Sequence, residues 1–429
     1  KNIRLDCLLT DKKYDGSLSI EDPNVQFDFQ GGIDFSGEVP VFDFQAELAK
    51  AKLHQLNFAS QDTSANLSLS LMSNFKGNSL DNASGTIRLS QGKLVRNEKT
   101  LRFDDLQIEA RHREDTHRIY LSSDYLEARL VGKYRSTTVY QSLKNLSLSY
   151  LPVFIQNPED TALVPYQNDF ELAIDLKHTA PITNVFLPSL KVADSSKVKL
   201  DYRGGETKSF HLTAQTQNLR YKDWSFTNIN LESRSQDTIF ALNLHFDRVS
   251  TLSEKPTKYF HQFSLQSLTG NNESKLMVQW DQPHQDTLKG ELISLIEMGR
   301  NEQTGHLKTN IFLLPGEIKL NNEIWHVAQS SVIIDSSSFN FNNLSFYHKQ
   351  QRMFIDGRIT KNPTDTLEMN FSDIALDYAN ILFPKGNLTF NGSIHGSARL
   401  SNLYKEPSFR SNLVIDTLSV NRQKVGQTR

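Results

Sequence analysis

The sequence lacks most of the features that announce a function. It has one cysteine in 429 residues, Cys7, so no disulfide can close within the chain and cysteine pairing does not reveal a redox compartment. Cys7 alternates in phase with Ile3 and Leu5, which reads as a small buried hydrophobe. No run approaches the roughly 18 apolar residues of a membrane helix. The chain opens at Lys1 with no signal-peptide core and ends soon after the strand-like run Leu418 to Val420, the pattern expected of a segment of something longer. Neither sign of charge dominates. A net charge of −2 and a pI near 6.7 argue against a nucleic-acid partner, which needs a basic face.

Catalytic signatures are missing too. There is no Walker loop, no GxGxxG between strand and helix, no HExxH and no GxSxG elbow. The twelve histidines are scattered, and Asp and Glu gather at turns. A β-helix enzyme acting on polysaccharide would need two convergent carboxylates, and no pair stands out. We therefore expect no enzyme and no cofactor. The cluster from Arg111 to Arg118, with His112 and His117 in it, looks like a metal site at first sight. It also lies where a hairpin tip belongs, and solvation of a turn explains it more simply. Eight Asn-x-Ser/Thr sequons, Asn343 and Asn387 among them, are what chance gives in a chain rich in Asn and Ser.

What is present is alternation. Phe is abundant at 26 residues, with 13 Tyr, a composition that favours strands. From Gly386 to Val420, the even positions Leu388, Phe390, Gly392, Ile394, Gly396, Ala398 and Leu400 are apolar or glycine. The odd positions between them are polar. A period of two marks a strand with one dry face and one wet face. Phe409, Ser411, Leu413 and Ile415 then begin a return strand.

The same pattern fills most of the chain. Gly16, Leu18 and Ile20 form one strand. After the turn Asp22-Pro23-Asn24, Val25, Phe27, Phe29, Gly31, Ile33 and Phe35 form the next, with a bulge expected at Gly32. The stretch 47–56 has helical propensity but is read as strand and turn. A one-residue slip between Phe103 and Leu106 predicts a bulge. Leu126, Ala128, Leu130, Gly132 and Tyr134 make a return strand.

One segment departs from this. Val139, Leu143, Leu146 and Tyr150 recur at three- and four-residue spacing after Ser136, a candidate cap, and before Pro152. This predicts a helix over 136–151 that plugs a sheet end. Residues around Pro181 and Pro188 predict a helical turn, and Gly204-Gly205 a hairpin. Glu159 to Tyr166, Ser250 to Lys258 and Asp281-Gln282-Pro283-His284 read as linkers or turns.

The fold class that follows is all-β: an elongated, antiparallel-rich twisted sheet with one or two short helices. It divides softly into segments 1–158, 159–304 and 305–429. A hydrophobic content of 38% suits a one-sided sheet better than a sandwich sealed on both sheets.

Several pieces resemble the TamB family, in its Bacteroidetes-like branch. They are the glycine-punctuated strand 386–400 with its Pro407 loop and return strand, Glu323-Ile324-Trp325-His326-Val327, Phe354-Ile355-Asp356-Gly357, Tyr14-Asp15-Gly16-Ser17 and Asp22-Pro23-Asn24. TamB proteins are related to AsmA-like and bridge-like lipid-transfer proteins. The resemblance implies a sheet folded over as an open β-taco groove and phospholipid acyl chains travelling along it. It also implies a location in the periplasm and cell envelope, and an inner-membrane anchor through an N-terminal helix missing from this chain. A partner would be an outer-membrane barrel protein of TamA or BamA type. The expected groove-lining residues are Leu18, Ile20, Phe27, Phe29, Ile33 and Ala128. Two alternatives stay open: a scaffold for outer-membrane protein assembly that offers sheet edges to a client strand, and a membrane β-barrel, disfavoured by uneven runs and missing aromatic girdles.

Overall fold

The computed structural model describes every residue except 1, 60, 158–159, 161–165, 206–207, 237, 252–259, 282–287, 321, 379–388 and 429. The linkers of the sequence reading therefore fall partly outside the described residues, as do Leu388 and Asn387. The fold is all-β, as its alternation predicts: 28 strands belong to one sheet, and every pairing between described strands is antiparallel. The chain divides into two compact units. One holds Lys1–Lys144, Ala162–Lys222 and Ile229–Asp237, and the other Asn145–Thr161, Asp223–Asn228 and Thr238–Arg429.

The first unit is a meander. Its first strands are β1 (Asn2–Thr10), β2 (Lys13–Glu21), β3 (Val25–Asp34), β4 (Val41–Lys52) and β5 (Asn66–Lys76). They continue as β6 (Ser84–Arg96), β7 (Lys99–Arg113), β8 (Thr116–Ser123) and β9 (Leu126–Lys133). Each pairs with the next, and β9 pairs with β10 (Asp169–Leu176). β11 (Leu190–Val192) and β12 (Ser196–Arg203) then share β13 (Ser209–Tyr221) along its length. Tight turns with left-handed residues, such as Asp11-Lys12 and Asn97-Glu98, join the strands. The turn at Gly204 is a longer loop, since Arg203 pairs with Ser209.

The expected bulges shift place. Gly32 pairs in regular register with both neighbours, and the irregularity lies at Gln26/Phe27 opposite the end of β4. The slip in β7 is not a bulge against β6. There, Leu89 faces Leu106 and Gly92 faces Phe103, so both strands change phase together and their register survives. The mismatch is absorbed between β5 and β6 instead, at Ser68/Ser70.

The predicted helix is α1 (Ser136–Tyr150). Its entry differs from the expected serine cap. Ser136 donates rather than accepts: its N–H and Oγ bond the Asp81 carboxylate at 2.6 and 3.1 Å. A carboxylate is well placed at the positive end of a helix. Asn168, 1% exposed, accepts from the Arg135 N–H at 2.8 Å and donates to Ser142 Oγ at 2.7 Å. A second helix, α2 (Ala180–Phe186), has its proline in the first turn, where no N–H is needed, and packs against β7.

β14 (Trp224–Gln236) carries residues of both units. The second unit continues with β15 (Ile239–Thr251), β16 (Phe260–Gly270), β17 (Glu273–Trp280) and β18 (Leu288–Arg300). The far half of β18 pairs with β19 (Leu307–Leu313), and its near half with β20 (Gly316–Leu320). Pro315 fits the break between them. β21 (Glu323–Val327) follows β20, and β22 (Ser330–Asp335) follows β19. Both meet β23 (Ser338–His348). A meander resumes through β24 (Gln351–Ile359), β25 (Thr366–Ala375), β26 (Phe390–Ser401), β27 (Ser408–Val420) and β28 (Gln423–Thr428). In this unit the last residues of α1 dock on the β16–β17 turn. The Asn272 N–H donates to the Tyr150 carbonyl at 3.0 Å, and Asn272 Oδ1 accepts from the Val153 N–H at 2.7 Å.

Candidate functional site: one apolar sheet face

Register turns the alternation into rows. In the first unit, Leu18 faces Phe29, which faces Ala46, then Leu71, Leu89 and Leu106 on successive strands. A parallel row runs Tyr14, Ile33, Phe42, Phe75, Gly85, Ala110, Ile119, Leu130, Leu172, Leu200 and Leu212. Between them lie Ile87, Ile108, Leu121, Ala128, Ile174 and Val198. Directly opposed residues sit about 4.5–5.5 Å apart, so each row is continuous van der Waals surface. Aromatic contacts knit it further: Phe29 lies 5.6 Å from Tyr14 and 4.9 Å from Phe44 between ring centroids.

These rows are not sealed. Leu18, Ile20, Phe27, Phe29, Ile33 and Ala128 all lie on this face, and all six are half-buried rather than buried. Along the two longer rows, full burial is reached at Ala46 and Ala110 but not at the leucines, isoleucines or phenylalanines. A second layer along the two rows would bury those large side chains first, whereas cover is local: Phe170 and Tyr202, cross-strand partners on the same face, are buried. Cys7, opposite Gly16, is likewise half-buried.

The second unit repeats the arrangement. Ile296, Ile311, Val332, Phe341, Gly357, Leu367, Leu400 and Phe409 face one another in turn across eight strands. Phe390, Ile394 and Leu400 are half-buried, Ala398 and Leu367 are buried, and Phe409 is exposed. The other face is wet. In the first unit it carries exposed pairs such as Arg88–Asp105 at 2.8 Å and Lys177–Glu127 at 2.7 Å, which mark the solvent side and add little stability.

Polar groups interrupt the dry face at two places. At the β7–β8 hairpin, His112 and His117 are direct cross-strand partners with Nδ1 atoms 2.9 Å apart. A hairpin tip does lie here, at Glu114-Asp115, but the solvated turn expected of the whole cluster does not: His112 and His117 sit in the flanking strands, and His117 is buried. His117 is buried against the Tyr134 ring, 5.1 Å away, and burial first, then the neighbouring His112, pushes its pKa down. At β21, Glu323 accepts from the Tyr378 phenol, and His348 Nε2 lies 3.6 Å from the other carboxylate oxygen. Trp325 packs edge-on against Tyr378 at 5.2 Å. Burial, helped by the bond to Glu323, pushes Tyr378 up to about 12. The two histidines lie in the cluster that the sequence already singles out at a hairpin, whereas no local signal could have joined Glu323, His348 and Tyr378, which are far apart in the chain.

Among the described residues no group of three or more His, Cys, Asp or Glu could hold a metal ion. No helix is long and apolar enough to cross a membrane, which says nothing of strands that might. Compared with known proteins, the chain matches no family model, no curated protein and no solved structure.

Proposed function

We propose that this chain is a periplasm-spanning segment of a TamB-like protein, and that its apolar face carries phospholipid acyl chains between the inner and outer membranes. In this reading the sheet curls over into an open groove. A membrane anchor and the contact with an outer-membrane barrel of TamA or BamA type belong to other parts of the full protein. One observation carries the reading: a row made mostly of Leu, Ile and Phe, with small residues at Gly85 and Ala110, crosses the strands from β2 to β13, and its large aliphatic and Phe side chains stay half-buried.

The physics fits a conduit. Each methylene placed against such a surface gains roughly 0.8 kcal/mol, so a dozen bind by transfer alone. The gain is non-directional, and neighbouring apolar sites along a row are chemically alike, so a tail can slide from one to the next. Headgroups stay in water because the face offers few charges. Catalysis plays no part in this proposal.

Photo-crosslinking residues placed at Phe29 or Ile394, on the apolar face, are expected to form phospholipid adducts in the full protein in cells. The same group at Asp28 or His395, on the opposite face, is expected to form none. Ile394→Asp should block adducts at neighbouring positions while the strand signal in circular dichroism is kept. Adducts on both faces alike would end the conduit reading. No lipid adduct, with a barrel-protein strand captured instead, would replace it with the assembly-scaffold reading.

A further inference from the structure

One pocket at the strand ends of the first unit has a different character from the open rows. The turn after β4, the end of β6 and α2 enclose about 510 Å³. Its walls are Leu53, Phe58, Ala65, Leu94 and Phe186. That volume lies within the range of roughly 300–1,000 Å³ that takes a small organic ligand. Leu94 also belongs to the apolar face, where it faces Leu67 on one side and Leu101 on the other, so the pocket opens where a row ends. The turn is fixed: the Phe58 and Ala59 N–H groups donate to the Leu53 carbonyl, and His54 Nδ1 lies 3.0 Å from the Ala59 carbonyl oxygen. Yet Phe58 is 81% exposed and Phe186 45% exposed. Two aromatic rings are held in water at the rim of a pocket whose walls mix apolar side chains with Gln61, Asp62, Arg96 and Asn97.

The rim carries one charge of each sign. Arg96 is the one cation in the lining, and its guanidinium lies 5.7 Å from the Phe186 ring centroid. It makes no salt bridge among the described residues, although its charge acts on the Asp62 carboxylate. Asp62 is the one anion in the lining, and its oxygens are committed. Oδ1 accepts from the Ser64 N–H and hydroxyl at 3.0 and 2.6 Å, and Oδ2 from the Asn97 N–H at 2.7 Å. A pocket with an apolar side, aromatic lips and one guanidinium outside any salt bridge complements a hydrocarbon tail bearing a negative head.

The geometry points to this pocket as a side mouth for one acyl chain of an anionic lipid, its tail between Leu94 and Phe186 and its carboxylate or phosphate on Arg96. This rests on the conduit reading, in which a tail that leaves the mouth passes onto the row at Leu94.

The test uses the whole chain with a dansyl-labelled undecanoate and, separately, its neutral methyl ester. The carboxylate is expected to bind more tightly than the ester. Arg96→Ala should weaken the carboxylate about tenfold, the loss of one charged hydrogen bond, and leave the ester unchanged. Phe186→Ser should weaken both probes, with the circular dichroism spectrum unchanged. Arg96→Ala that alters neither probe, or both equally, overturns the mouth. The conduit then stands or falls separately on adducts at Phe29 and Ile394. The converse result, selective loss with Arg96→Ala but no adducts on the face, leaves a lipid pocket without a conduit.

Discussion

The Tyr378 phenol donates to a carboxylate oxygen of Glu323, a residue 55 positions earlier in the chain. The bond ties the short turn after β25 to β21, with Tyr378 only 6% exposed and its ring edge-on to Trp325. Removing the donor leaves a part-buried carboxylate short of a partner. Tyr378→Phe is therefore expected to lower unfolding free energy by about 1–3 kcal/mol in a urea titration. Tyr134→Phe is the contrast. Its hydroxyl is buried without a partner, so its loss should be neutral or mildly stabilising. Equal losses from the two variants would mean that the Glu323 bond contributes nothing of its own.

The same two phenols predict alkaline behaviour. Burial raises Tyr134 from 10.0 to about 12, and burial together with Glu323 does the same for Tyr378. A raised folded-state pKa means that neither phenol costs stability by ionising below pH 10, and that as pH climbs from 10 towards 12 the unfolded chain loses these protons first and the folded state is destabilised. Two units correspond to roughly 2–3 kcal/mol per phenol. Stability measured from pH 9 to 11.5 should fall steeply in the native protein. The fall should be shallower in Tyr134→Phe, which has one fewer phenol to ionise. An identical slope in that variant would place the alkaline transition elsewhere.

Much of the fold was legible because its rule is local. A strand with one dry face writes its period into adjacent residues, so β2, β3, β9 and β26 could be placed from Leu18, Phe29, Ala128 and Ile394 alone. The helix α1 was legible for the same reason, through Val139, Leu143, Leu146 and Tyr150. Relations between strands were less visible. The slip at Phe103/Leu106 could be read, but not that Leu89/Gly92 slips with it and keeps the register. Ser136 looked like a cap because the sequence does not show that Asp81 arrives from another loop to take that role. Tyr378 and Glu323 meet through the order of strands, which alternation does not encode. The half-buried state of Phe29 and its neighbours was equally hidden, since a period of two is the same under a sealed layer and an open one.

The histidine pair gives an acid-side prediction. One imidazole must be neutral to accept across the 2.9 Å separation, and His117 has its pKa lowered from 6.5, by burial first and then by His112. Asp81 and Asp115 oppose that shift without reversing it. The unfolded chain therefore takes up the proton more readily than the folded one. The stabilising contribution is complete above pH 6.5 and declines as pH falls from there towards the lower folded value. His117→Phe, which keeps a ring against Tyr134, removes this term. The difference in urea midpoint between native protein and variant should shift in the variant's favour between pH 8 and pH 5. A difference that does not vary with pH would show that His117 is not the group responsible.

Close approach between strands supplies a steric prediction. Gly92 lies directly across from Phe103, and a Cβ built on Gly92 falls on the aromatic ring. The ring covers the glycine and is held there by the absence of a side chain. Gly92→Ala must displace Phe103 from the β6–β7 ladder, and overpacking of this kind costs roughly 1–3 kcal/mol. Gly299, near the end of β18, has nothing within 4 Å of its would-be Cβ. Gly299→Ala should therefore change stability by less than about 0.5 kcal/mol, or raise it by limiting the unfolded chain. Thermal unfolding of the two variants side by side separates the cases. If Gly92→Ala proves as harmless as Gly299→Ala, Phe103 is free to swing away and the face at that position is loosely packed rather than interlocked.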